Sequence, residues 1–186
     1  IDEAQHHVYL STYIFESNMS GQRFVESLAT AHDRGVDVRV LLDGAGEWYS
    51  WPRIRHALRR RQVPVARFLP PRVFPPSPLV NLRNHRKLLL IDSHTAFIGG
   101  MNIGDRHLLK RPGKAGGVRD VHFCIQGPLT RQLEQVFLDD WGFITGDEQP
   151  PDPVPAADNQ ALGNALARPL IDGPYEDLHR LTMLLV

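Results

Sequence analysis

Hydrophobic and polar positions along the first seventy residues change period several times. Val8 to Phe15 (VYLSTYIF) is rich in β-branched and aromatic residues, which predicts a strand. Ser17, Asn18 and Ser20 follow as turn or cap signals. Apolar residues at Phe24, Val25, Leu28, Ala29 and Ala31 then repeat with helical spacing as far as Gly35, a residue suited to ending a helix. Val36 to Leu42 predicts a second strand that closes on Asp43-Gly44, Ile54, Ala57 and Leu58 a short helix, and Val63 to Phe68 a third strand. This βαβαβ order implies an α/β fold with helices flanking a largely parallel sheet.

Pro70, Pro71, Pro75, Pro76 and Pro78 predict an irregular loop, because proline cannot donate to a sheet. His85 to Asp92 and Thr95 to Gly99 then read as two strands joined at Ser93-His94, and Val121 to Ile125 as another. Leu133, Val136, Phe137 and Trp141 predict a helix over Leu129 to Phe143. The acidic, proline-rich stretch from Asp147 to Asp158 has the composition of a spacer. Beyond it, Ala167 to Ile171 reads as a strand and Tyr175 to Val186 as a helix without a cap, while Ile1 to Gln5 reads as the end of a helix. The expected organisation is a first unit over 1–146, a linker over 147–163 and the start of a second unit over 164–186, within a longer polypeptide.

The chain has 186 residues, 42% of them hydrophobic and 23% charged, enough for a packed core and unlike disordered or fibrous proteins. No apolar run approaches the roughly 18 residues of a membrane-spanning helix, so the piece itself is expected to be soluble. Cys124 has no partner for an internal disulfide and is expected as a small core residue among Val121, Phe123 and Ile125. A net charge of zero hides an asymmetry. Trp51 to Lys87 carries nine arginines, one lysine and no acid, a segment that attracts phosphate, whereas Phe137 to Gln160 is purely acidic.

The chemistry concentrates in Arg83-Asn84-His85-Arg86-Lys87, Asp92, and Gly99-Gly100-Met101-Asn102. On a strand, His85 and Lys87 share one face while Arg86 and Asp92 share the other. A neutral imidazole at His85 can attack phosphorus and carry the phosphoryl group covalently. Lys87 and Asn102 can donate to the nonbridging oxygens, a scheme that requires no metal and no cofactor. Arg83 and Asn84 are expected to contact phosphate or substrate. Asp92 is expected to serve the strand by hydrogen bonding. A nucleophilic histidine needs an acceptor behind it, and Asp120 in Arg119-Asp120-Val121-His122 is the candidate. His122 shares a strand face with Asp120 and reads more readily as a histidine satisfied behind the site.

The spacing H-x-K-x4-D-x6-G-G-x-N over His85 to Asn102 resembles the HKD motif of the phospholipase D superfamily. Six such positions coincide by chance about once in tens of millions of starts. Arg34-Gly35-Val36, Val38-Arg39, Asp43-Gly44, the Arg119-Asp120-x-His122 segment and Gly127-Pro128 with Phe137 and Trp141 resemble the N-terminal half of bacterial cardiolipin synthases, and Leu170 to Pro174 the start of their second half. Val118 stands where those proteins usually have tryptophan.

The resemblance implies a phosphatidyltransferase. It would join two molecules of the anionic phospholipid phosphatidylglycerol through a phosphohistidine, with glycerol released. It also implies one HKD motif in each half and a bacterial cytoplasmic membrane location given by segments upstream. None of the other eight histidines has a lysine two residues on, so the second motif must come from a missing second half or a second copy of the chain. Trp48, Tyr49 and Trp51 could border a lipid-facing entrance, although ordinary loop packing is the commoner role of such residues. The alternative within the superfamily is a homodimeric single-motif phosphodiesterase or nuclease acting on nucleic acid. A noncatalytic module that retains only the fold is disfavoured, since nothing structural demands His85, Lys87, Asn102 and Asp120 together.

Overall fold

The computed structural model describes residues 1–70, 83–108, 117–147 and 163–169. Six strands form one sheet in the order β3-β2-β1-β4-β5-β6. They are β1 (His7–Thr12), β2 (Asp37–Asp43), β3 (Val65–Phe68), β4 (Leu88–Ile91), β5 (Thr95–Gly99) and β6 (His122–Gln126). The expected parallel pairing holds where helices make the crossovers, β1 with β2 and β2 with β3. From β1 outward through β4, β5 and β6 every pairing is antiparallel. The β4–β5 connection is a tight turn carried by Asp92 and Ser93 at φ +52° and +50°, which fits the twist of a hairpin.

Alternating residues of the central strand serve two cores. Val8 and Leu10 of β1, with Val38, Val40 and Leu42 of β2, pack against Val25, Leu28 and Ala29 of α1 (Met19–Asp33) and Leu58 of α2 (Ile54–Arg60). Tyr9, Leu41, Leu88, Leu90 and Ala96 meet Leu133, Phe137 and Trp141 of α3 (Leu129–Thr145) on the opposite face. Because β1 has a helix layer on each side, all six of its residues are buried, which explains a sequence run with little polar alternation. Asn18 caps α1 by accepting from the Gly21 amide, and Gly35 ends it at φ +88°, where a side chain would be strained.

Two polar joints hold the end of the sheet opposite His85. The Asp92 carboxylate accepts the backbone N–H groups of Gln5, His6 and His7 at 2.8–2.9 Å. Beside it, Glu134 of α3 lies 3.0 Å from His7 Nε2 and accepts from the Ser93 hydroxyl at 2.7 Å, so strand, hairpin and helix meet on one carboxylate. Cys124 corrects an expectation, being exposed rather than in the core. It lies on β6, the edge strand, where even Phe123 is 59% exposed. The prolines 71, 75, 76 and 78, most of the acidic linker and residues 170–186 lie outside the described residues.

Burial pushes the Asp92 carboxyl up, but the three backbone donors and the neighbouring His7 outweigh it and hold it below the ordinary carboxylate value. A depressed folded-state value contributes stability that is present above the unfolded-state value, about 4, and is lost as pH falls through the folded value. Thermal denaturation of Asp92→Ala should therefore show a loss of roughly 1–3 kcal/mol at neutral pH. The gap to wild type should close on acidification below about pH 4.

Candidate active site

β1 ends at Thr12, earlier than the apolar run suggests, because Asn102 and Ile103 take over the backbone of the next residues. The Ile14 amide donates to Asn102 Oδ1 at 3.1 Å, the Ile103 amide donates to the Ile14 carbonyl at 3.1 Å, and the Glu16 amide donates to the Ile103 carbonyl at 2.9 Å. This contact fixes the Asn102 amide. With its oxygen occupied, the group it can offer elsewhere is the N–H2, a donor.

Leaving the sheet also brings Tyr13 over the motif. Its ring centroid is 4.2 Å from that of His85, and Lys87 Nζ lies 5.3 Å from the same ring. His85 and Lys87 precede β4 rather than forming part of it, and the lysine ammonium donates to the His85 carbonyl at 2.6 Å. The two motif residues therefore meet on one tyrosine, which lies in the stretch that reads in sequence as the end of a strand. The His85 side chain is exposed, as a nucleophile requires. Lys87 and Asn102 line one cavity of about 410 Å3, which Ser11, His107 and His122 also line.

The lead-in to β4 is fixed from two directions. Asp43 at the end of β2 accepts the Asn84 amide through Oδ2 at 2.9 Å, while its other oxygen accepts from the Ala45 and Gly46 amides. From α3, Asp140 accepts from the Asn84 side chain at 2.9 Å and from Arg86 at 2.6 Å. Asn84 is buried, and its oxygen accepts the Arg86 amide, so both of its side-chain polar atoms are engaged in holding the backbone that carries His85. Arg83 Nη1 donates to the Leu69 carbonyl at 3.2 Å.

Gly99 and Gly100 matter here for space. A Cβ at Gly99 would fall 2.7 Å from His122 Cα and strike the Val121 carbonyl, and one at Gly100 would fall 2.5 Å from Asp120 Oδ1. Their bareness lets the segment before β6 close against β5 and carry Asp120 toward the motif. Asp120 makes no hydrogen bond with His85 among the described residues. Its Oδ2 lies 3.0 Å from Nδ1 of His107, a histidine whose side chain is almost fully buried and which nothing in the local spacing marked out.

The electrostatics follow from this packing. Burial pulls the Lys87 ammonium below the ordinary lysine value, and the charges of Asp120 and Asp43 offset part of that pull. Burial likewise lowers the His122 imidazole, again against Asp120, which favours its neutral form. The result is a surface-exposed imidazole beside a half-buried cation and an oriented amide. Such a group can receive an anionic phosphorus centre and stabilise charge that builds on its oxygens.

Comparison with known proteins agrees with this geometry. A family model described as "Cardiolipin synthase, PLD-like domain" matches residues 1–141. The cardiolipin synthase of Geobacillus thermodenitrificans is 38% identical over 147 residues, which are 79% of this chain and 29% of that protein. The major cardiolipin synthase ClsA of Bacillus subtilis is 35% identical over 141 residues, 76% of this chain and 29% of its own length. The chain thus spans under a third of these relatives. Among solved structures, the phospholipase D family member Nuc from Salmonella typhimurium shares the fold at a TM-score of 0.53 and 19% identity, covering 76% of this chain and 81% of that one. Phosphatidylserine synthase from Haemophilus influenzae does so at 0.53 and 16%, covering 75% and 32%. The motif spacing, the mixed sheet and the match over 1–141 together establish that this chain belongs to the phospholipase D-like domain family of cardiolipin synthases.

Proposed function

We propose that residues 1–146 are the first catalytic half of a phosphatidyltransferase that converts two phosphatidylglycerol molecules into cardiolipin and glycerol. The observation that carries this reading is the meeting of exposed His85 with Lys87 on the Tyr13 ring, beside an Asn102 whose oxygen is already spoken for.

A His85 ring nitrogen attacks phosphorus, the P–N bond forms, and the P–O bond to the glycerol headgroup breaks. The departing alkoxide takes a proton from an acid supplied by the second half of the polypeptide. The headgroup hydroxyl of a second phosphatidylglycerol then attacks the phosphohistidine, loses its proton to the same group, and breaks the P–N bond to release cardiolipin. The Lys87 ammonium neutralises charge on the nonbridging oxygens in both steps, and the Asn102 N–H2 group donates hydrogen bonds to them. Asp120, 3.0 Å from the His107 ring, acts through its charge on Lys87. Asn84, Gly99 and Gly100 hold the shape of the site, Asp92 ties down the far end of β4, and Arg83 lies at the approach to the motif. A second HKD motif is supplied by the remaining half of the polypeptide.

In the protein carrying both halves, His85→Ala should lower turnover of phosphatidylglycerol vesicles by at least about 1,000-fold and abolish the acid-labile phosphoenzyme trapped from lipid labelled on phosphorus. Turnover unchanged in that variant would falsify the nucleophile. Cleavage of DNA by the wild type, without turnover of lipid, would instead favour a nuclease of the same superfamily.

The alkaline limb of kcat/KM should follow Lys87, because a deprotonated amine no longer neutralises the phosphate. That limb should lie below the ordinary lysine value of about 10.4. Asp120→Asn removes a charge that favours the ammonium, so it should move the limb to still lower pH. A limb unmoved by Asp120→Asn would separate Asp120 from Lys87.

A further inference from the structure

The turn after β2 presents large aromatic side chains to solvent from an unusually well-anchored base. Trp51 is 84% exposed, Trp48 65% and Tyr49 57%. The base is held by buried polar contacts. Asp43 accepts the Ala45 and Gly46 amides at 2.8 and 2.9 Å, and the buried Glu47 carboxylate sits between Arg55 and Arg67 at 3.1 and 2.7 Å. Ser50 ties the far side of the loop to Ser17, close to the start of α1, where Met19 is also exposed.

Exposure here is therefore a property of a fixed shape and not of a loose tail. Three large aromatic side chains within four residues, exposed on a turn whose base is anchored by the buried Asp43 and Glu47 carboxylates, are costly unless something covers them.

The charge around them says what covers them. Arg53 stacks over Trp48 with its guanidinium carbon 4.8 Å from the ring centroid, and Arg59 and Arg60 are exposed on the following helix. No acidic residue occurs between Trp51 and Lys87, in a chain whose net charge is zero. Tryptophan and tyrosine rings beside arginine match the boundary between headgroups and acyl chains, where an amphipathic ring and a cation are both satisfied. The patch also reaches the motif, since Tyr49 lies 6.0 Å from Tyr13 and Tyr13 lies 4.2 Å from His85.

We propose that Trp48, Tyr49 and Trp51, with Arg53, Arg59 and Arg60, form a surface that docks onto an anionic phospholipid bilayer and holds His85 at headgroup level. This inference rests on the reading of the substrate as a phosphatidyl lipid and adds where the bilayer lies against the fold. A lipid then passes from the bilayer to the nucleophile along the Tyr49–Tyr13 edge without crossing bulk water.

The test uses the intact protein with vesicles of phosphatidylglycerol or of phosphatidylcholine, each carrying brominated acyl chains that quench tryptophan on contact. Subtracting the signal of the Trp48→Phe/Trp51→Phe variant isolates these two residues from all others. The expected result is quenching of that component on phosphatidylglycerol vesicles and little on phosphatidylcholine. Equal quenching on both overturns the anionic assignment. Absence of quenching overturns the docking surface, and shielding of the same component from aqueous iodide would then identify a protein surface as the cover.

In parallel, Trp48→Ala/Trp51→Ala should lose about 10-fold or more of its activity on vesicles, the scale of one buried tryptophan. Its activity on monomeric short-chain phosphatidylglycerol should stay within about 2-fold of wild type, which also shows that the variant folds. Equal losses on the two substrates overturn the proposal. A wild type that turns over neither lipid form overturns the substrate reading alone, because the quenching measurement reports docking without any turnover.

Discussion

One buried carboxylate organises the catalytic end of this fold. Asp43 ends β2, is 1% exposed, and spends its two oxygens in different directions. One takes the amides of Ala45 and Gly46 and so bends the chain into the aromatic turn. The other takes the amide of Asn84 and so fixes the backbone immediately before the motif histidine. Two loops that are forty residues apart in sequence are thereby registered against each other by a single side chain. A carboxylate suits the task because it accepts several N–H bonds at once and each is strengthened by its charge. Its charge also reaches Lys87, where it opposes the effect of burial.

Much of this was legible along the chain, for physical reasons that differ by element. The βαβαβ opening shows because each strand and helix buries a continuous face, and burial leaves a period. β4 and β5 show because they pair with each other across a turn that needs only Asp92 and Ser93. The motif shows because phosphoryl chemistry restricts residue types at fixed spacing, and a spacing survives without any knowledge of the fold. The limits of β1 do not show. Tyr13, Ile14 and Phe15 are as strand-like as the residues before them, and what removes them from the sheet is the amide of Asn102, eighty-eight residues away from Ile14.

The surroundings of Asn84, Asp120 and Cys124 share this dependence on distant partners. Asn84 looks like a phosphate ligand beside His85, yet α3 presents Asp140 to it and occupies its amide. Asp120 looks like the acceptor for His85, yet the turn after Gly100 sets His107 against it. Cys124 sits in an apolar run, and an apolar run on an edge strand with open flanks need not be buried. No local pattern encodes which helix or turn will arrive from elsewhere in the chain.

The paired glycines after β5 carry a lesson for how tolerance to substitution should be interpreted. Neither adopts a left-handed backbone, so alanine is excluded by occupied volume and not by conformation. At Gly99 the obstruction is main chain, which cannot swing aside, whereas at Gly100 it is the tip of one carboxylate. Selection acting on function would therefore purge Gly99 variants too, although Gly99 contributes no side chain to the site. Intolerance along this stretch measures how closely two strands must approach, and the residues that react are a subset of those that cannot change.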